Sequence, residues 1–189
     1  MQWILPGTVL EAGVEDAARV EGLFQPMFLA GGMILSQVSS ITGLEPYIIQ
    51  NWVKRGFLAP PQNKRYTLRQ LCRILNINML KGVLPMERIC GLLTYINGQL
   101  DDESDDTIDD SQLYFMFVRL AVQAKELDKN KSWAPAVEEV LRDYQEPIPG
   151  ARERIASVLR IMLVAWLSSS LQHEAAELLA DLPLTSETK

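Results

Sequence analysis

Between residues 34 and 97 the apolar positions fall into short blocks at helical spacing, separated by glycine, proline and small polar clusters. Ile34 to Gly43 reads as a short helix ending in a glycine C-cap, with Val38 and Ile41 on its apolar side. Leu44 bridges to Glu45-Pro46, an N-cap followed by proline at the first helical position, which opens a second helix running to Arg55 and stopping at Gly56. Along that helix Ile49, Trp52 and Val53 share one face, while Tyr47, Gln50, Asn51 and Lys54 occupy the other at i, i+3, i+4 and i+7. Phe57 to Tyr66 then reads as a short hairpin with a basic tip at Lys64-Arg65. Thr67-Leu68-Arg69-Gln70 is a capping box opening a third helix with Leu71, Ile74, Leu75 and Leu80, and Leu84-Pro85-Met86-Glu87 starts a fourth. Two short helices joined by a tight turn, a hairpin and two further helices make the pattern of a winged helix-turn-helix.

The other segments are simpler. Residues 1–30 mix Pro6, Gly7, Gly13, Gly22 and Pro26 with Trp3, Ile4, Leu5, Leu23, Phe24 and Phe28, too apolar for a free tail. An arm is expected there, helical around Glu15 to Leu23 and packed on the C-terminal helices or on a neighbouring subunit. Beyond residue 110 the periodicity is helical throughout, with no strand alternation and no internal repeat. Ser111 or Asp110 can cap a helix reaching Leu127, and Ser132 can cap another carrying Val137, Val140, Leu141 and Tyr144. Pro147, Pro149 and Gly150 precede a long apolar helix at about 151–170. Arg160 in its middle, with Arg152 and Arg154 before it, leaves too short an apolar run for the ~20 residues of a membrane span. A buried central helix or an oligomer interface is expected instead. The fold class expected is mainly all-α: an arm at 1–30, a winged helix-turn-helix with a short β-hairpin wing at 31–100, a linker at 101–110 and a helical domain at 111–189.

Charge changes this picture more than composition does. The chain has 189 residues, 48 % of them hydrophobic and 22 % charged, which excludes disorder and low complexity for most of its length. Its formal net charge of −6 argues against a polyanionic partner until the charges are placed. Residues 31–100 hold eight basic side chains against Glu45 and Glu87, whereas residues 101–110 hold seven acids and no base. A basic module is therefore set inside an acidic chain. The acidic run reads as a solvated spacer, or alternatively as a polyanion mimic that competes for the neighbouring basic face.

The candidate chemistry is that of binding. There is no glycine-rich phosphate loop, nucleophile elbow or paired-carboxylate spacing, so no catalytic residue, cofactor or metal site is expected and an enzyme is not the reading. His173 stands alone, and Cys72 and Cys90 sit on different helices among apolar neighbours, as structural thiols do. Two cysteines and the absence of a signal-peptide pattern fit a reducing cytoplasm. An exposed row of Tyr47, Gln50, Asn51 and Lys54 offers amides for base edges and a cation for phosphate, the residue types that major-groove reading uses.

Leu35-Ser36-Gln37-Val38 with Thr42-Gly43-Leu44, Ile49-Gln50-Asn51-Trp52, Gly56-Phe57-Leu58, Pro60-Pro61, Arg65-Tyr66 and Leu84 to Leu93 resemble the DNA-binding domain of bacterial MerR-type regulators. More closely, Leu58 to Tyr66 and Leu80 to Leu84 resemble an uncharacterised bacterial domain family related to MerR. The resemblance covers about a third of the chain. It implies base contacts from Tyr47, Gln50 and Asn51, and phosphate or minor-groove contacts from Lys54, Arg55, Lys64, Arg65 and Tyr66. The chain departs from the MerR pattern in carrying Gln50 where the recognition helix has arginine, and Asn51-Trp52 where it has paired tyrosines. Its wing is short and lacks glycine, and an acidic stretch and a helical domain replace the long dimerising heptad helix.

The function expected is a cytoplasmic transcription regulator binding double-stranded DNA, with homodimerisation through the C-terminal helices. The aromatics and methionines of that half are core, or else line a pocket for a small-molecule effector; no membrane role is expected. The alternative is a non-enzymatic protein-interaction adaptor on the same fold, kept off nucleic acid by its acidic segments.

Overall fold

A computed structural model describes residues 2–17, 19–97, 107–126 and 132–182. Pro6 and Gly7 turn the chain back on itself, so that β1 (Gln2–Ile4) pairs antiparallel with β2 (Glu11–Gly13), Trp3 opposite Ala12. Two short helices, α1 (Val14–Ala17) and α2 (Val20–Phe24), and a 3₁₀ turn at Gln25–Phe28 follow. The rest is α3 (Leu35–Thr42), α4 (Pro46–Lys54), α5 (Leu68–Leu80), α6 (Met86–Asn97), α7 (Asp110–Glu126), α8 (Ala134–Val140) and α9 (Ala151–Ala180). The fold is mainly helical, and the strand pairing of the N-terminal arm was not part of the sequence expectation.

The predicted capping box at the start of α5 is formed: the Gln70 amide N–H donates to Thr67 Oγ1 at 3.2 Å, and the Thr67 N–H to Gln70 Oε1 at 3.0 Å. From there α5 is buried nearly all round, polar Arg73 and Asn76 included, because α3, α6, α7 and α9 all pack against it. The sequence pattern marks one apolar face on this helix; the second is covered by α7, whose Leu113, Tyr114, Phe117 and Leu120 are fully buried. The helices after residue 110 thus share a core with those before residue 97.

The arm joins the same core. Phe24 meets the Tyr114 ring edge-on at 5.9 Å, and Trp3 meets Trp166 of α9 at 6.1 Å. Tyr114 donates its hydroxyl to the Pro6 carbonyl at 2.9 Å. The close approach needs Gly7, at φ 74°: a Cβ there would lie 2.4 Å from the Leu75 carbonyl oxygen.

The acidic stretch is corrected in part. Residues 101–106 lie outside the described residues, but Thr107 to Asp110 are packed rather than solvated. Thr107 donates its N–H to the Ile96 carbonyl at 3.0 Å and accepts the Tyr144 hydroxyl on its own carbonyl at 2.6 Å. Asp109, not Ser111 or Asp110, caps α7: its Oδ1 accepts the Ser111 N–H at 2.7 Å and its carbonyl accepts the Leu113 N–H. The last helix also runs further than expected, to Ala180. By length and composition α9 is apolar enough to cross a membrane. Its first half, through Ile155, Val158, Leu159, Met162 and Leu163, is buried in the core instead.

Candidate nucleic-acid interface

Gly43 sits at φ 68° and closes α3, its N–H bonded to the Ser39 carbonyl. Ser39 Oγ reaches across the turn to the Leu44 carbonyl, and Thr42 Oγ1 accepts the Leu44 N–H at 3.2 Å. The turn is braced from outside the two helices: the Val9 N–H donates to the Ile41 carbonyl at 2.9 Å. Asn78 of α5 spans the Gly7 and Thr42 carbonyls at 2.9 and 3.0 Å. Neither Val9 nor Asn78 stands out in the sequence, because their partners are remote along the chain.

That brace fixes the direction in which α4 faces. Ile49 and Trp52 are anchored in the core, and Tyr47, Gln50, Asn51 and Lys54 are all exposed on the opposite side, Tyr47 at 67 %. The solvent side of α4 thus presents a tyrosine, two amides and a cation, groups able to hydrogen-bond a polar partner. Arg55 caps the helix, lies 4.5 Å over the Phe57 ring and pairs with Glu87 at 3.1 Å; both charges are solvent-exposed, so the pair is weak.

The segment after α4 is a tight turn with a single bridge between Gln62 and Arg65, rather than a laddered hairpin. Asn63 and Lys64 at its tip have φ of 49° and 62°, the two positive values of a type I′ turn. Its approach is held to α5 by the Gln70 side-chain amide on the Ala59 and Pro60 carbonyls and by Arg73 Nε on the Phe57 carbonyl. Its return is held by reciprocal backbone bonds between Met33 and Tyr66, and Arg65 donates to the Gly32 carbonyl at 2.8 Å. Lys64 and Arg65 are exposed. Tyr66 is not: it is 2 % exposed, and burial pushes its phenol pKa up. The phosphate or minor-groove contact that the resemblance assigns to Tyr66 is therefore withdrawn, since its bridge to Met33 turns the side chain inward.

The basic surplus is also smaller at the surface than in the sequence. Arg73 is buried and pairs with Asp110 Oδ2 at 3.4 Å; Arg69 lies 3.6 Å from Asp109 and 3.9 Å from Asp110. Burial raises the Asp110 pKa, opposed by the two arginines. The end of the acidic run thus neutralises two cations of the basic module from within. Lys54, Lys64, Arg65, Lys81 and Arg88 remain on the exposed surface of the module, with Arg55 in its weak pair. Cys72 is buried and Cys90 half-buried, both as free thiols whose pKa is raised by burial. Among the described residues no cluster of three His, Cys, Asp or Glu side chains could hold a metal ion.

Comparison with known proteins adds a boundary. A family model described as a domain of unknown function (DUF1836) matches residues 32–117, from the turn before α3 to the middle of α7. The uncharacterized protein YkrK of Bacillus subtilis (strain 168) is similar: 24 % identical over 160 residues, covering 78 % of this chain and 69 % of that protein. No solved structure matches the chain. The matched unit ends beyond the acidic run, so it encloses both sides of the Arg69, Arg73, Asp109 and Asp110 cluster.

Proposed function

We propose that this chain is a MerR-like DNA-binding regulator that places α4 in the major groove of double-stranded DNA and the Asn63-Lys64 turn on the flanking backbone. The observation that carries the reading is the exposed row of Tyr47, Gln50, Asn51 and Lys54 on a helix fixed by buried Ile49 and Trp52. Amides at Gln50 and Asn51 suit adenine N6 and N7. Lys54, Lys64 and Arg65 suit phosphates, as does Arg55 once a phosphate displaces the exposed Glu87. A homodimer joined through its C-terminal helices would read two half-sites about one helical turn apart.

The adaptor alternative draws on the internal neutralisation of Arg69 and Arg73, which leaves a modest positive surface. The two readings separate at α4. Changing Gln50 and Asn51 together to alanine should abolish sequence preference while leaving the melting temperature nearly unchanged, because neither side chain contributes to the core. Undiminished preference in a folded double variant would refute the assignment of α4 as the reading helix.

A further inference from the structure

The second half of α9 carries a feature that its buried first half does not explain. Ile161, Val164, Leu171 and Leu178 are 45 %, 59 %, 55 % and 63 % exposed, and with Ser168 and Ala175 they follow one another at alternating steps of three and four. That spacing is the a and d seam of a coiled coil. The core face of the same helix, through Ile155, Leu159 and Met162, points elsewhere, so the stripe is a second apolar face, its four aliphatic side chains at least 45 % exposed and Ser168 half-buried. We propose that this stripe is the seam by which two copies of the chain pair, antiparallel, along α9.

Charge selects both the occupant and the direction. Arg160, exposed, flanks the stripe at its start, and Glu174 and Asp181 flank it at its end, at the same position of the seven-residue repeat. In an antiparallel pair these positions face each other, so Arg160 of each copy meets Asp181 of the other at both ends of the seam. A parallel pair would instead leave Arg160 far from any acid of its partner and bring Glu174 and Asp181 of both copies to the same end of the seam. The side-chain sizes agree with the same register. Ile161 falls opposite Leu178, Val164 opposite Ala175, and Leu171 opposite Ser168, so that the smaller members are always matched by a larger one. The stripe is about 26 Å long, short for a free coiled coil, but α9 is already formed and anchored by its buried half. The ordering cost of pairing is correspondingly reduced.

This deepens the dimeric part of the proposed function and does not depend on contact with DNA. The test is sedimentation equilibrium of the full chain across a concentration series. Wild type should dimerise, and Leu171→Glu or Leu178→Glu should raise the dissociation constant at least tenfold without altering the circular dichroism, since both side chains are exposed. Arg160→Glu alone should weaken the dimer, and adding Asp181→Arg should restore it. Cysteine pairs check the direction: Ile161→Cys with Leu178→Cys should cross-link on oxidation, whereas Leu178→Cys alone should not. A monomeric wild type would overturn the proposal, as would a dimer indifferent to both glutamates or cross-linking by Leu178→Cys alone. A monomer that binds phosphatidylcholine vesicles through the stripe would overturn it in favour of a lipid surface. None of these outcomes bears on whether α4 binds DNA.

Discussion

Asp110 shows how a single carboxylate ties two parts of the chain together. Its Oδ2 faces Arg73 and Arg69, while its Oδ1 is buried with no hydrogen-bond partner among the described residues. Burial outweighs both cations, so the folded protein holds this proton more tightly than the unfolded chain does. Stability from this residue therefore grows as pH falls and is lost as pH rises from the ordinary carboxylate range to the raised folded value. That is the reverse of a surface carboxylate in an ion pair. Asp110→Asn has nothing to titrate. The unfolding free energy of the wild type relative to this variant should increase on acidification through the carboxylate range, measured by urea unfolding at a series of pH values. A difference that shrinks on acidification would show that attraction to the arginines, not burial, dominates. In the sequence, Asp110 stands apart from its six acidic neighbours in residues 101–110 only as a candidate helix cap; its pairing with Arg73 and Arg69 leaves no signal, because they are 37 and 41 residues away.

At the scale of elements, short-range signals were legible and long-range ones were not. The Gly43 cap, the Glu45-Pro46 helix start and the Thr67–Gln70 capping box depend on neighbours within four residues, and each appears where the pattern puts it. So does the division of α4 into a buried and an exposed face. The pairing of β1 with β2 was missed because each strand has only three residues, too few to show alternation, and the Pro6-Gly7 turn between them reads as arm composition. Tyr66 was misplaced because its inward direction is set by Met33, at the far end of α3 and α4. The turn at Asn63-Lys64 offers a test that separates geometry from charge. Lys64→Gly relieves a positive φ on a residue with a Cβ and should raise stability by about 0.5–1 kcal/mol. If Lys64 also contacts a phosphate, the same variant should bind DNA more weakly and lower the slope of log affinity against log salt by about one. Thermal unfolding and a salt titration on one preparation read both effects, and a stabilised variant with unchanged affinity would remove Lys64 from the interface.

Across the whole molecule, the boundary expected at residues 101–110 does not separate two cores. α7 packs along α5, the family match runs to residue 117, and the cations of α5 are met by the acids that open α7. The exposed face of α4 and the helices behind it are one packed unit, with Val9 of the arm and Asn78 of α5 bracing the turn between α3 and α4. What the sequence shows as charge segregation is, in three dimensions, partly a set of internal ion pairs and partly an exposed surface bearing Lys54, Lys64 and Arg65. The measurement that bears most directly on DNA reading by that surface is a selection of bound sequences from a random duplex library at about 0.15 M salt, followed by affinity against salt concentration. An enriched two-fold-symmetric motif, with affinity falling steeply as salt rises, is the predicted result. No enrichment and no salt dependence would contradict it.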